Sequence, residues 1–220
     1  MKLLDAFQAE HALIDRMLGS LRSYVVALVD GTADVADGAR FAAFFTEFAG
    51  HFHHGREEGV LFDALVTAAA LPAERGPVHA LTREHAEMAQ WLGELVPLLE
   101  CRPQSDDDRA RLRTLAKRYS QALWRHIDAE NSVVYREGGE RLVRCGVHEL
   151  PDRPMTAAEA AAREHAAALL ARYPPIEDEE LARGDGCFMC RAHGVSCDGL
   201  EAEWWTDLEW EEFYGRDTSD

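Results

Sequence analysis

The sequence predicts an all-α protein, an up-down-up-down four-helix bundle followed by a C-terminal extension. Two observations support this fold class. Four long segments repeat apolar residues at alternating spacings of three and four, the pattern of a helix that buries one face. Short breaks rich in Gly, Pro and Asp separate these segments. Because short connections place consecutive long helices antiparallel, the pattern favours a bundle.

The four predicted helices have recognisable ends. The first covers residues 3–29, and the second runs from about residue 37 to residue 65. The third begins at the Pro77 turn, since proline suits the first turn of a helix. Ser105 caps the fourth, whose first turn, Asp106-Asp107-Asp108, carries negative charge that the helix dipole favours.

One histidine lies on the apolar stripe of each predicted helix, and two of the four are followed by a glutamate one turn later. These residues are His11, His53 with Glu57, His85, and His126 with Glu130. A single histidine on such a stripe is usually a core residue that hydrogen-bonds a neighbour. Four on four helices favour metal binding, because burying imidazoles and carboxylates without partners would cost about 2 kcal/mol or more per group.

The donor set indicates which metal to expect. Imidazole nitrogens and carboxylate oxygens, with no thiolate on these helices, outnumber the ligands of one tetrahedral ion. They favour two iron ions, with manganese as the alternative, over a single zinc. The neighbouring pair His54 and Glu58 is rotated by about 100° around the helix. We expect this pair and Glu84 to hydrogen-bond the ligands or to lie at the surface.

Four ordered motifs resemble the hemerythrin family, and more closely its HHE cation-binding branch, over residues 1 to about 145. The motifs are Glu10-His11-x-x-Ile14-Asp15, His53-His54-Gly55-Arg56-Glu57-Glu58-x-x-Leu61-Phe62, Gly76-Pro77 with Arg83-Glu84-His85, and His126-Ile127-x-x-Glu130-Asn131-x-Val133. The resemblance implies a diiron centre with six protein ligands, of which the two glutamates bridge the ions. The ligands it implies are His11, His53, Glu57, His85, His126 and Glu130.

One position departs from the family pattern. Oxygen-carrying hemerythrins have a second histidine one turn before the third-helix ligand, and this chain has Leu81 there. We therefore expect one iron to keep a position open for water, O2, peroxide, NO or a substrate. Simple reversible oxygen carriage is disfavoured.

The composition changes near residues 151–154. The part after this point contains 17 acidic residues and six arginines. We expect a bundle domain over residues 1–148 and an acidic extension over residues 149–220. A capping box, formed by Thr156 and Glu159, starts a fifth helix over about residues 156–172.

A second candidate metal site lies in a loop at residues 187–197. Its motif, Cys-x-x-Cys-x-x-His-x-x-x-Cys, supplies four donors that suit a tetrahedral zinc: Cys187, Cys190, His193 and Cys197. Two alternatives stay open: Cys187 and Cys190 form a redox dithiol, or the cysteines are simply buried.

An aromatic segment follows among acidic residues, between residues 201 and 214. So much aromatic surface favours burial. We expect it to dock on the bundle or near the cysteine loop, or to form a homodimer or partner interface.

Charge and hydropathy exclude some functions. A net charge of -17 disfavours nucleic-acid binding, which needs clustered Lys and Arg. No apolar run approaches the roughly 20 residues that span a bilayer, and the first residues lack a secretory signal. We expect a soluble cytoplasmic protein.

Three functions fit these features. The first is a non-heme diiron protein that binds or reacts with O2, peroxide or NO in sensing, scavenging or stress defence. The second is an oxygen-activating diiron enzyme acting on a small organic substrate. The third is an iron- or redox-responsive regulator that signals through its Cys/His tail. Whether the protein is an enzyme stays open.

Overall fold

The computed structural model of the chain describes residues 1–178 and the single residues Leu181, Thr206 and Leu208. Within this part all regular structure is helical, as predicted, and no strand is present. The α-helices are α1 (Lys2–Val29), α2 (Ala36–Ala43), α3 (Asp63–Thr67), α4 (Gly76–Leu99), α5 (Asp106–Ala129), α6 (Tyr135–Arg144) and α7 (Ala157–Arg172). Three π-helical segments lie between them: Phe44–His54, Glu57–Phe62 and Glu130–Val134.

The π-helical segments join shorter α-helices into longer ones. Residues 36–67 form one continuous helix that contains α2, two π-helical segments and α3. Residues 106–144 form another, from α5 to α6. With α1 and α4, these make the four long helices that the sequence predicts.

The predicted helix caps are present. Ser105 Oγ accepts a hydrogen bond from Asp108 N at 3.1 Å, and the Asp108 carboxylate accepts one from Ser105 N at 3.0 Å. Thr156 and Glu159 form the same reciprocal pair at the start of α7. Each box satisfies two backbone N–H groups that have no partner inside the helix, which fixes where α5 and α7 begin.

Two hydrophobic clusters fill the interior of the bundle, and every long helix contributes to both. The larger cluster includes Ile14, Phe48, Met88 and Leu123. The smaller cluster includes Phe7, Leu61, Leu81 and Val134. Along the chain, the first and third long helices run from the smaller cluster to the larger one, and the second and fourth run back. The up-down-up-down order is therefore visible in the packing.

Helix α7 packs against the outside of the bundle. Its residues Ala162, Ala166 and Leu169 belong to the larger cluster. Ser20 of α1 donates a hydrogen bond to the carbonyl of Tyr173 at 2.7 Å. The domain boundary at residues 148–149 stays a prediction. No helix in the described part of the chain is long and apolar enough to cross a bilayer.

Candidate metal centre

A polar layer separates the two hydrophobic clusters, and all four long helices contribute to it. Its seven side chains are 0–9% exposed: His11, His53, His54, Glu57, His85, His126 and Glu130. Their donor atoms form two groups, and within each group the atoms lie within 4.8 Å of one another. The two-imidazole group is His11, His53, Glu57 and Glu130. The three-imidazole group is His54, Glu57, His85 and His126.

Glu57 belongs to both groups, and its two oxygens face different ones. Oε1 lies 3.3 Å from Nε2 of His53 and 3.8 Å from Nε2 of His11. Oε2 lies 3.6 Å from Nε2 of His85. This is the position that a carboxylate needs to bridge two cations.

Glu130 lies between the groups as well. Its Oε2 is 3.3 Å from Nε2 of His11 and 3.2 Å from Nε2 of His126. The Nε2 atoms of His85 and His126 are 2.8 Å apart. The ring nitrogens therefore converge on the two carboxylates.

Several atoms of this layer are buried without a hydrogen-bond partner among the described residues. They are His53 Nε2, His54 Nε2, Glu57 Oε2 and both carboxylate oxygens of Glu130. An unpaired buried polar group costs about 1–3 kcal/mol. Cations coordinated by these nitrogens and oxygens would remove that cost, so the residues present fit a metal centre.

In four of the histidines the second ring nitrogen, Nδ1, makes a hydrogen bond to a neighbouring side chain. The Nδ1 of His53 donates to Glu10 at 2.7 Å, and the Nδ1 of His85 donates to Glu58 at 2.8 Å. The Nδ1 of His126 donates to Glu84 at 2.8 Å, and the Nδ1 of His11 donates to Asn131 Oδ1 at 2.9 Å. These hydrogen bonds favour a proton on Nδ1 and make Nε2 the nitrogen that would bind a metal. Glu58 and Glu84 each accept the Nδ1 hydrogen bond of one histidine, and their supporting role stays a prediction.

Three residues of the site were not predicted from the sequence as contributors: Glu10, Asn131 and Tyr135. Glu10 and Asn131 each lie next to a predicted ligand in the sequence, within the motifs that resemble the family, and these were the local signals for them. Tyr135 Oη donates to Glu57 Oε1 and lies 3.3 Å from His11 Nε2. Burial and the nearby carboxylates raise the pKa of Tyr135 well above its usual value, so in the metal-free chain the phenol is a donor.

Burial and neighbouring carboxylates together set the pKa values of the imidazoles. It lowers the pKa of His53, His54 and His85, because a charged ring loses its hydration. Neutral imidazole is the form that binds metal ions. At His126 burial also acts to lower the pKa, but the carboxylates of Glu130 and Glu84 outweigh it and raise the pKa to about 10.

The two shared carboxylates have opposite pKa shifts. Burial and the charge of Glu130 raise the pKa of Glu57 well above its usual range. Burial acts in the same direction at Glu130, but the charge of His126 and the nearby ring nitrogens of His11 and His126 outweigh it and lower its pKa well below the usual range. Metal ions bind the deprotonated forms of carboxylate and imidazole groups, so cations would compete with protons for this layer.

His54 differs from the prediction made for it. The α-helical rotation of about 100° places it beside the site or at the surface. In the structure it ends the π-helical segment Phe44–His54, its ring stacks on His85 at 4.0 Å, and its Nε2 belongs to the three-imidazole group. A π-helical turn contains more residues, so consecutive side chains rotate less and both His53 and His54 face the interior.

The structure also shows which group of donors has fewer imidazoles. Leu81 is buried in the smaller cluster, and His54 supplies a third imidazole beside His85 and His126. The group with fewer imidazoles is therefore the one formed by His11 and His53. The expectation drawn from Leu81 was of one less saturated ion, and it did not say which group of donors would hold that ion.

The candidate zinc residues Cys187, Cys190, His193 and Cys197 lie outside the described residues, as does the aromatic segment apart from Thr206 and Leu208. The zinc, dithiol and docking hypotheses stay predictions.

Comparison with known proteins gives one match. The family model described as "Hemerythrin HHE cation binding domain" matches residues 2–137, a range that contains all seven side chains of the layer. No curated protein and no solved structure matches the chain. The family match agrees with the resemblance carried by the four sequence motifs.

Proposed function

The chain belongs to the hemerythrin HHE cation-binding domain family, and we propose that it holds two iron ions which bind or react with O2, peroxide or NO. The observation that carries the proposal is the position of Glu57. One of its oxygens faces His53 and the other faces His85, so a single carboxylate is shared between two sets of imidazoles. A site for one ion would not need this division.

The number and type of donors support iron in both positions. One ion would be held by His54, His85 and His126, and the other by His11 and His53, with Glu57 and Glu130 shared. All of these donors are nitrogen or oxygen, which suits iron and manganese. An iron pair supplies electrons and binding positions for a small oxidant. The protein supplies orientation, through the Nδ1 hydrogen bonds, and exclusion of water.

The surroundings favour a small ligand. The layer is enclosed between two apolar clusters, and aromatic rings adjoin its histidines: Phe7 lies 5.4 Å from His53 and Phe62 lies 5.8 Å from His85, centroid to centroid. A diatomic molecule can enter such a layer at low desolvation cost, whereas a large or charged substrate cannot. Sensing, scavenging and stress defence are the roles that this chemistry serves.

A second function is favoured by a contact outside the layer. Arg56 hydrogen-bonds both Glu10, which holds His53, and Asp152, which follows the bundle. This contact connects a metal ligand to the start of the extension, as an iron- or redox-responsive regulator would require. Iron loading should then change the protease sensitivity of residues 180–220, and identical digestion with and without iron would count against this role.

Metal analysis of the purified chain tests the main proposal. We expect two iron ions per chain after expression with ample iron, and a change in the visible spectrum when O2, peroxide or NO is added. Glu57→Gln should lower the iron content, because it removes the shared charge. The matched control is Asp63→Asn, an exposed residue on the same long helix. Fewer than about one iron per chain, or two ions retained in Glu57→Gln, would contradict the proposal.

A further inference from the structure

Tyr135 reaches the metal layer on the side of the two-imidazole group. It is the first residue of α6, directly after the π-helical segment Glu130–Val134. Its ring stacks on His11, with centroids 5.3 Å apart and planes inclined by 12°. Its hydroxyl hydrogen-bonds Oε1 of Glu57, the oxygen that faces His53, rather than Oε2. Both contacts therefore belong to the group that has one imidazole fewer.

The spacing of the hydroxyl is that of a donor on the same ion. Nitrogen and oxygen ligands lie about 2.1 Å from a metal, so neighbouring donors at right angles are about 3 Å apart. Oη of Tyr135 lies 3.3 Å from Nε2 of His11. The same distance separates Nε2 of His11 from Oε2 of Glu130, two atoms that both belong to the group. The hydroxyl of Tyr135 is therefore spaced from His11 as a further ligand of the same ion would be.

We propose that Tyr135 is a ligand of the ion that His11 and His53 would hold, and that its phenolate oxygen would supply the donor that a third imidazole would supply to the other ion. This inference rests on the proposed diiron function. When the metal–oxygen bond forms, the phenol O–H bond breaks and its proton leaves to solvent with the other protons that the cations displace. No electron is transferred in this step.

A phenolate ligand would influence which chemistry the centre favours. A negatively charged oxygen stabilises Fe(III) more than Fe(II), since the Coulomb attraction grows with the charge of the ion. A centre biased toward Fe(III) is poorly suited to reversible O2 carriage, which starts from Fe(II). It suits reactions with peroxide or sensing of oxidation. Tyr135 is thus a residue that determines reaction specificity within the same site.

Spectroscopy of the oxidised, iron-loaded full chain tests the proposal. A phenolate bound to Fe(III) gives a visible charge-transfer band and resonance-enhanced ring vibrations, and these vibrations shift when ring-deuterated tyrosine is incorporated. We expect both signals in the unmodified chain. Tyr135→Phe should lose them and keep two iron ions. Tyr119→Phe is the matched control, because Tyr119 is buried in the larger cluster beside Phe45 and should leave the band unchanged.

The outcomes separate this proposal from the function on which it rests. Two iron ions without a phenolate band in the unmodified chain would overturn the role of Tyr135 and leave the diiron function intact. A band that survives in Tyr135→Phe would also overturn the role of Tyr135 and leave the diiron function intact. An unmodified chain that binds no iron overturns both. The unmodified chain tests for a tyrosine ligand even if Tyr135→Phe fails to fold.

Discussion

Buried Arg56 and partly buried Glu10 form an ion pair behind the metal layer. Arg56 donates through Nη2 to Oε1 of Glu10, whose Oε2 accepts the Nδ1 hydrogen bond of His53 at 2.7 Å. Arg56 also donates through Nη1 to Asp152 at 2.8 Å, and its guanidinium lies 3.7 Å from the ring centroid of Phe52. One carboxylate therefore orients a candidate metal ligand and neutralises a buried cation. Changing it should affect metal binding and stability together.

Glu10→Gln tests this double role. The amide keeps the shape of the side chain but removes the charge that both Arg56 and His53 use. We expect a metal affinity about 10- to 100-fold lower, the usual effect of losing a hydrogen-bond partner behind a ligand. The free energy of unfolding should fall by about 2 kcal/mol. Removing one partner of a buried ion pair costs roughly 3–5 kcal/mol. We expect a smaller loss here because Asp152 still offsets part of the charge of Arg56. Chelator competition and denaturant unfolding measure the two effects.

The matched control for Glu10→Gln is Glu47→Gln. Glu47 also accepts a hydrogen bond from a histidine, His51 at 3.1 Å, but this histidine is exposed and belongs to neither donor group. The control should leave metal affinity and stability nearly unchanged. Equal affinities for Glu10→Gln and the unmodified chain would show that His53 needs no charged partner.

Removal of the metal should loosen the polar layer before the rest of the bundle. Without cations, five buried nitrogen and oxygen atoms of the layer lack hydrogen-bond partners among the described residues. Free metal at about 100 times its Kd stabilises a fold by about 2.7 kcal/mol, so the Tm should fall on chelation. Amide exchange should increase around His126. It should stay slow near Leu99, whose carbonyl accepts a hydrogen bond from Tyr24 at 2.7 Å within the larger cluster. Uniform loosening of both regions would contradict this order.

The stability of the segment that starts α7 should depend on pH through Glu159. Its carboxylate accepts hydrogen bonds from Arg153 at 2.7 and 2.8 Å, and these lower the pKa of Glu159 from about 4.5 to about 2. Because the folded pKa is the lower one, the stabilisation is complete above about pH 4.5 and is lost as the pH falls toward 2. Arg153 is half-exposed, so we expect only about 1 kcal/mol.

Unfolding of the metal-free chain measures this effect. Glu159→Gln should be less stable than the unmodified chain at pH 6, and the difference should shrink toward zero near pH 2. Glu164→Gln, an exposed change on the same helix, is the control and should show no such convergence. A difference that does not depend on pH would assign the loss to packing.

The sequence predicted the four long helices and the four stripe histidines, because apolar periodicity reports directly on which face of a helix is buried. It did not predict the π-helical turns, since periodicity read at 100° per residue assumes a regular α-helix. Tyr135 shows the consequence. Five residues after Glu130, it would be rotated by about 140° from that residue on an α-helix. The π-helical segment between them brings both side chains to the same interior.

Hydrogen bonds between different helices could not be predicted from local sequence patterns for another reason. Glu10 is adjacent to His11 in the sequence, yet it hydrogen-bonds His53 on a different helix. Which helix faces which depends on packing of the whole bundle. The sequence therefore indicated that Glu10 lies near the site and could not indicate which ligand it holds.

His54→Leu tests the part of the site in which structure and sequence interpretation differ most. If His54 is a ligand, the substitution should lower the iron content from two ions toward one, because His85 and His126 lose the third imidazole of their group. Metal-free His54→Leu should unfold no more easily than the metal-free unmodified chain. The leucine removes a buried nitrogen that has no hydrogen-bond partner among the described residues.

These opposite effects distinguish a ligand from a core residue. A core histidine replaced by leucine would change the stability and leave the iron content alone. The control is His79→Leu, on the same helix as His85 but in neither donor group, which should retain both ions. If the His54→Leu variant binds two ions with unchanged affinity, His54 is not a metal ligand.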